Sequence, residues 1–237
     1  MATVEDAQLD NPIYSALGGP HARFAQVRGR ARRYPDDVAP FFALPEAASE
    51  QDWHDAARLF APGTYAAVWL EGAGPPDGWR AVTAFDLVQM VGERVTGAQF
   101  PEAIRLGAGD VPEMLELVEE TEPGPFLPRT IELGDYLGIR DRGQLVAMAG
   151  ERFRVDGWTE ISAVCTRPSH RGRGLASQLI GALVAAIQSR SEGVFLHVLE
   201  SNTTAIRLYE QLGFRTRLNG RITVVGPEGS DDGDDNL

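Results

Sequence analysis

The chain has 237 residues, 43% of them hydrophobic and 24% charged, and its formal net charge at pH 7 is −12. This acidic balance argues against a general affinity for nucleic acid or anionic membranes, which both require a basic surface. No segment reaches the roughly 20 consecutive apolar residues that span a bilayer. The first residues lack the basic region of a secretory signal, and the single cysteine excludes an internal disulfide. We therefore expect a cytoplasmic protein without a metal.

The first hundred residues carry weaker signals than the rest of the chain. Residues 21–33 predict a basic helical segment, and residues 64–71 and 78–85 predict two strands joined by a turn at Gly74–Gly78. We expect residues 1–100 to form a smaller α/β region of unknown role that serves packing and has no chemistry of its own.

From residue 101 onward, predicted strands and helices alternate. The predicted strands are 103–107, 137–141, 144–155, 158–166, 193–200 and 221–225, and the predicted helical segments are 111–122, 129–137, 175–190 and 202–212. This order predicts an α/β domain with a mixed sheet over residues 101–226. Residues 227–237 are rich in aspartate and glycine and predict a disordered acidic tail.

Residues 167–176, RPSHRGRGLA, gather three arginines and two glycines within this acidic chain. A strand, a glycine-rich loop and a helix in succession present free backbone N–H groups to an anion, and the helix dipole adds positive charge there. Gly172 and Gly174 would let a phosphate approach the backbone, while Arg171 and Arg173 offer forked donors. The spacing fits neither a P-loop nor a GxGxxG dinucleotide site. The loop therefore predicts a site for another phosphate ligand; a solvated basic loop is the alternative.

Two segments of the second half resemble a known superfamily. Residues 164–176, VCTRPSHRGRGLA, resemble motif A of the GNAT superfamily of acyl-CoA N-acyltransferases, with Arg171, Gly174 and Ala176 at its three defining positions. Residues 202–214, NTTAIRLYEQLGF, resemble the superfamily's N-x-x-A-x-x-L-Y-x-x-x-G-F segment. The resemblance covers about residues 102–226 and is greatest to the branch related to glycine N-acyltransferases. It implies a GNAT-like fold there, with an N-terminal region that either covers the cleft or is a degenerate GNAT-like fold.

The resemblance implies acetyl-CoA as the acyl donor and a set of residues that bind it. Loop and helix residues would hold its pyrophosphate: Arg171, Gly172, Arg173, Gly174, Leu175, Ala176 and Ser177. Strand backbone at Val164, Cys165 and Thr166 would pair with the two amides of the pantetheine arm. Asn202 and Ala205 match further positions beside that arm.

The resemblance also implies direct attack of a neutral primary amine on the thioester, through a tetrahedral oxyanion. Tyr209 matches the family tyrosine near the sulfur and is the expected general acid. Glu160 aligns with the glutamate base of the histone acetyltransferase branch, and its apolar neighbours Trp158 and Ile161 predict a raised pKa. His197 is the rival base, and a solvent-facing Glu160 without a catalytic role is the alternative.

Two functions remain open at this level. One is an N-acetyltransferase acting on an unidentified amine; the other is an acyl-CoA-binding pseudoenzyme or regulatory module. Tyr209 favours the enzyme, because a domain that only binds needs no phenol at the sulfur. Cys165 is expected to be a core residue rather than a nucleophile. The acidic surroundings of the loop suit a cationic amine as the acceptor. A homodimer is left open.

Overall fold

The computed structural model describes residues 4–70 and 74–228, so most of the predicted tail, residues 229–237, lies outside the described residues. The helices are α1 (Pro12–Gly18), α2 (Glu50–Ala57), α3 (Val111–Thr121), α4 (Leu175–Ser189) and α5 (Thr203–Leu212). The strands are β1 (Gln26–Arg28), β2 (Ala31–Arg33), β3 (Phe42–Ala43), β4 (Ala66–Trp69), β5 (Trp79–Val91), β6 (Ile104–Arg105), β7 (Tyr136–Asp141), β8 (Gln144–Val155), β9 (Trp158–Thr166), β10 (Gly193–Leu199) and β11 (Arg215–Pro227). No helix of the described ranges is long and apolar enough to cross a membrane.

Eight strands form the main sheet, in the order β4-β11-β5-β10-β9-β8-β7-β6. The neighbours β9 and β10 run parallel, and the other neighbouring pairs are antiparallel. The predicted fold class, an α/β protein with a mixed sheet, is confirmed. A second sheet of three short strands has the order β1-β2-β3.

The N-terminal half supplies two strands of the main sheet. Strand β5 lies between β10 and β11 and pairs with both of them, while β4 forms the edge beside β11. Strands from either side of residue 100 are therefore direct neighbours within one sheet. The division into regions 1–100 and 101–226 stays a prediction.

The two faces of the sheet carry different covers. Helix α4 packs on one face through fully buried residues at helical spacing: Leu179, Ile180, Leu183, Val184 and Ile187. N-terminal residues that include Leu9, Ile13 and Phe41 cover the other face, against Phe153 and Phe195. Because side chains alternate along β10, Val194, Leu196 and Val198 face α4, while Phe195 and His197 face the N-terminal half.

One predicted helical segment is wrong, and another is helical over only part of its length. Residues 21–33 form a short 3-10 turn and then the hairpin of β1 and β2, in which Arg28 pairs with Ala31. Gly29 lies in the turn with φ +53°, a left-handed conformation that favours glycine, and a Cβ at this position would push the carboxylate of Asp55 aside. In the segment 129–137, a 3-10 turn at Thr130–Leu133 gives way to β7.

Candidate functional site

The main sheet splits between its two parallel strands. Strands β9 and β10 pair over Trp158–Glu160 and Gly193–Phe195 and then separate. Beyond this point β9 continues along β8 to Thr166, while β10 continues along β5 to Leu199. The gap therefore opens at the carboxyl ends of two parallel strands, which is where open α/β sheets bind ligands.

A bulge in β9 shapes one wall of the split. The pairing with β8 shifts between Met148 and Gly150, and Ala163 in the bulge has φ +51°, which is strained for a residue with a Cβ. The N–H of Arg167 donates to the carbonyl of Val146 in β8. Since strand backbone groups alternate in direction, those of Val164 and Thr166 point away from β8, toward the split. The predicted pantetheine positions thus offer backbone pairing groups to a ligand in the gap.

The loop after β9 leads into an uncapped helix. Gly172 and Gly174 adopt φ angles of +77° and +76°, and a Cβ built on either would meet nothing within 4 Å. Gly174 is the N-cap of α4 and forms no side-chain cap. The first N–H groups of this helix therefore have no intrahelical partner, and the space above the loop backbone is open.

Side chains of the loop tie it to its base. The Arg171 guanidinium donates to the carbonyl of Thr166 at 3.2 Å, and that of Arg173 donates to the carbonyl of Ser169 at 3.4 Å. Nε2 of His170 lies 3.0 Å from a carboxylate oxygen of Asp141 on the neighbouring hairpin. The amides of His170 and Arg171 donate to the carbonyls of Arg167 and Pro168, so the loop is anchored at its start while the amides from Gly172 onward are left for a ligand.

The buried hydroxyl of Thr166 makes no hydrogen bond within the described ranges. This orphaned oxygen, the uncapped amides and the open space over two glycines all lie between β9 and α4. Residues 171–177, predicted for the pyrophosphate, occupy the loop and the first turn of α4. The residues present therefore fit an elongated anion with hydrogen-bonding amides along its chain.

The second predicted segment lies on α5. The side-chain oxygen of Asn202 accepts the N–H of Ala205 at 3.1 Å and caps this helix, so Asn202 has a structural role that the motif did not predict. Tyr209 packs against Phe214 with ring centroids 5.9 Å apart, and its burial raises the pKa of the phenol to about 12. In the described part of the chain, no group hydrogen-bonds the Tyr209 hydroxyl.

Glu160 lies at the point where the split begins, and its side chain is 0% exposed. The guanidinium of Arg152 donates to both carboxylate oxygens, at 2.8 and 2.7 Å. His197 Nδ1 lies 2.7 Å from one oxygen, and the Phe153 N–H donates to the other at 3.4 Å. Each carboxylate oxygen thus has two donors, and the carboxylate is saturated.

The prediction that Glu160 has a raised pKa is wrong. Burial raises the pKa of this carboxyl, but the Arg152 guanidinium and His197 outweigh burial and lower it to about 2. The solvent-facing alternative is also wrong, since the side chain is fully buried. The apolar neighbour Ile161 does not change the balance, because it faces α4 on the opposite side of the sheet.

Sequence reasoning missed the partners of Glu160. Arg152 reaches it across the hairpin of β8 and β9, whose turn at Asp156–Gly157 was predictable and places residues 152–153 opposite residue 160. The second missed residue is Gln89, whose amide nitrogen lies 3.0 Å from Nε2 of His197. It comes from β5, and no local pattern places that strand beside β10.

Cys165 is buried beside Met148 and Ala163, as expected for a core residue. Burial raises the pKa of its thiol to about 11, which disfavours the reactive thiolate. No group of three His, Cys, Asp or Glu side chains in residues 4–70 and 74–228 is arranged to hold a metal ion.

A protein-family model and a solved structure are both similar to this chain. Residues 136–222 match the family model named FR47-like protein. A solved GNAT-family structure from Novosphingobium aromaticivorans is 38% identical, with a TM-score of 0.84, and the alignment covers 93% of this chain and 99% of that one.

Two curated relatives match over shorter stretches. An uncharacterized N-acetyltransferase of Bacillus subtilis is 33% identical over 80 residues, which are 33% of this chain and 32% of the relative. The mycothiol acetyltransferase of Thermobispora bispora is 46% identical over 56 residues, or 23% of this chain and 19% of the relative. These matches thus span at most about a third of either relative.

Proposed function

Because the chain belongs to the GNAT family of acetyltransferases, we propose that it transfers the acetyl group of acetyl-CoA to a primary amine by direct attack. The observation that carries the proposal is the split between β9 and β10, which ends in a loop with an uncapped helix and two unobstructed glycines. A split of this kind can hold the donor between the strands and admit the amine to the exposed thioester.

The donor would be held along β9 and α4. The amides of residues 172–177, with the guanidinium groups of Arg171 and Arg173, would bind the pyrophosphate. Backbone groups of Val164 and Thr166 would pair with the pantetheine amides, and the unpartnered hydroxyl of Thr166 supports a polar ligand there. The backbone groups of Cys165 face β8, where Cys165 pairs with Met148, so Cys165 can only help to place its two neighbours. Asn202 and Ala205 lie at the start of α5, which follows β10.

Tyr209 is the proposed general acid. A phenol with a pKa of about 12 stays protonated at neutral pH, so it carries the proton that the departing thiolate needs. Its hydroxyl makes no hydrogen bond to the described residues, which leaves that proton available for a ligand.

The base is proposed as the pair of Glu160 and His197, with His197 as the member that takes the proton. A carboxylate with a pKa near 2 binds protons weakly at neutral pH, whereas an imidazolium would be stabilised by that carboxylate at 2.7 Å. The ring is 5% exposed, and Nε2 is the nitrogen left to take the proton, because Nδ1 faces Glu160.

The finer predictions about the whole protein remain proposals. They are the likeness to the glycine N-acyltransferase branch, a cationic acceptor suited to the net charge of −12, a cytoplasmic location and a homodimer. If turnover of the amine proves insensitive to ionic strength, the electrostatic argument for a cationic acceptor fails.

Calorimetric titration with acetyl-CoA, followed by thiol release with a panel of primary amines, tests the function. We expect saturable binding and release of free CoA with at least one amine. Binding without release from any amine would support the acyl-CoA-binding module instead. A folded protein that binds no acetyl-CoA would contradict the proposal for this donor.

A further inference from the structure

Gln89 of β5 is fully buried beside His197, and its side-chain amide is oriented from two sides. The amide nitrogen donates to the carbonyl of Leu9 at 2.8 Å, and the amide oxygen accepts from Arg217 Nη1 at 3.0 Å. A backbone carbonyl can only accept, and a guanidinium can only donate. Exchanging the amide oxygen and nitrogen would therefore break both bonds, so this orientation is fixed.

The fixed amide determines where the proton of His197 lies. The second N–H of Gln89 faces Nε2 of His197 at 3.0 Å, so Nε2 must present a lone pair. Nδ1 faces the ionised carboxylate of Glu160 and must carry the hydrogen. We infer that Gln89 is a positioning residue, which holds His197 as the neutral tautomer protonated at Nδ1.

The groups around His197 act on the charge of its ring in opposite directions. The charged side chains near the ring or its partners belong to Arg152 of β8, Glu160 of β9, Arg217 of β11 and Asp10 ahead of α1. The Trp69 ring of β4 lies 5.5 Å from the imidazole. Glu160 favours an imidazolium, whereas the Gln89 N–H opposes it, because a proton on Nε2 would face another donor.

This arrangement gives the N-terminal half a part in the site. Leu9 and Gln89 both belong to that half, and together they set the state of a ring in the wall of the split. The catalytic consequence rests on the proposed function: Nε2 must hold a lone pair before the amine arrives, and the Gln89 N–H has to leave that lone pair when the proton is taken up. The tautomer follows from the hydrogen bonds alone and can be measured without any acetyl transfer.

The direct test is the ¹⁵N NMR spectrum of the histidine rings in full-length protein labelled with ¹⁵N-histidine. The chain has four histidines, and the signals missing from a His197→Gln spectrum identify His197. At pH 7 we expect a protonated Nδ1 and an unprotonated Nε2. A wild-type spectrum with a protonated Nε2 would overturn the inference.

Gln89→Glu reverses the interaction in the folded protein. Its carboxylate would accept from Nε2–H, so His197 should carry a hydrogen on both ring nitrogens at pH 7. Gln188→Glu is the matched control, since Gln188 also donates to a backbone carbonyl, that of Val95 on another part of the fold. An unchanged His197 tautomer in Gln89→Glu, or an equal change in both variants, would contradict the inference.

Turnover separates this inference from the proposed function. If His197 is the base, Gln89→Glu should shift the acidic limb of the kcat profile upward and lower kcat about tenfold below it, with little change in the KM for acetyl-CoA. An unshifted limb in an active Gln89→Glu enzyme would overturn the catalytic role of Gln89. The expected spectra in a protein that acetylates no amine would support the positioning role and reject the proposed function.

Discussion

Gly174→Ala tests the anion site at a single atom. The residue has φ +76°, so alanine should cost about 1 kcal/mol of folding stability from backbone strain. No atom of the protein obstructs the new Cβ. It would project into the space proposed for the pyrophosphate and displace the phosphate oxygens from the amides at the start of α4.

The size of the effect follows from the bonds that are lost. A hydrogen bond to a charged group contributes roughly 1.5–3 kcal/mol. Loss of one such bond should weaken acetyl-CoA binding about 10- to 100-fold, since each 1.4 kcal/mol is about a factor of ten. Calorimetric titration measures the affinity, and thermal unfolding without ligand measures the stability.

Gly157→Ala is the matched control. Gly157 has φ +79°, with nothing within 4 Å of its Cβ position. It lies at the opposite end of the nine-residue strand β9, about 30 Å from the loop at roughly 3.3 Å per residue. Both variants should lower the Tm by about 2–4 °C, but only Gly174→Ala should lose affinity. Unchanged affinity in Gly174→Ala, or an equal loss in both variants, would refute the reasoning.

Three further results are expected. Tyr209→Phe should lower kcat about 100-fold. Acetyl-CoA affinity and folding stability should change little, because the hydroxyl forms no hydrogen bond to a described group. Steady-state kinetics and thermal unfolding measure these effects. Glu160 has a folded-state pKa near 2 against about 4.3 unfolded, so it should contribute about 3 kcal/mol above pH 4 that is lost as the pH falls toward 2. Glu160→Gln should remove this dependence and, by leaving Arg152 unpaired, cost about 3–5 kcal/mol in urea unfolding at pH 7; a wild-type-like curve would contradict the buried pair. At pH 7 Cys165 should react with a thiol reagent far more slowly in the native than in the unfolded protein, and equal rates would show that it is accessible.

Local patterns predicted the second half of the chain well. The predicted strands 144–155 and 158–166 match β8 and β9, and the predicted helix 175–190 ends one residue beyond α4. In these segments the apolar spacing, the turn at Asp156–Gly157 and the glycine loop all indicate the same elements. The phosphate-binding candidates followed from the same patterns, because they are consecutive in sequence.

Features that depend on distant pairing were not predictable. The position of β5 between β10 and β11 arises from contacts across more than a hundred residues, which no periodicity within β5 records. The prediction of a raised pKa for Glu160 considered only its apolar neighbours in sequence. His197 comes from the distant strand β10, whereas Arg152 lies across the hairpin of β8 and β9 and could have been found from the predicted turn. The role of Gln89 depends on that same pairing of strands.

The position of β5 also affects how the chain folds as it is synthesised. Roughly 100 residues separate the end of β5 at Val91 from the start of β10 at Gly193. At about 5–20 residues per second, the ribosome takes about 5–20 s to make that stretch. Throughout this time β5 has neither of its neighbouring strands, and its apolar residues Val88 and Met90 lack the packing contacts that α4 later provides. The nascent chain should therefore be most prone to aggregate, and most dependent on chaperones, in this interval.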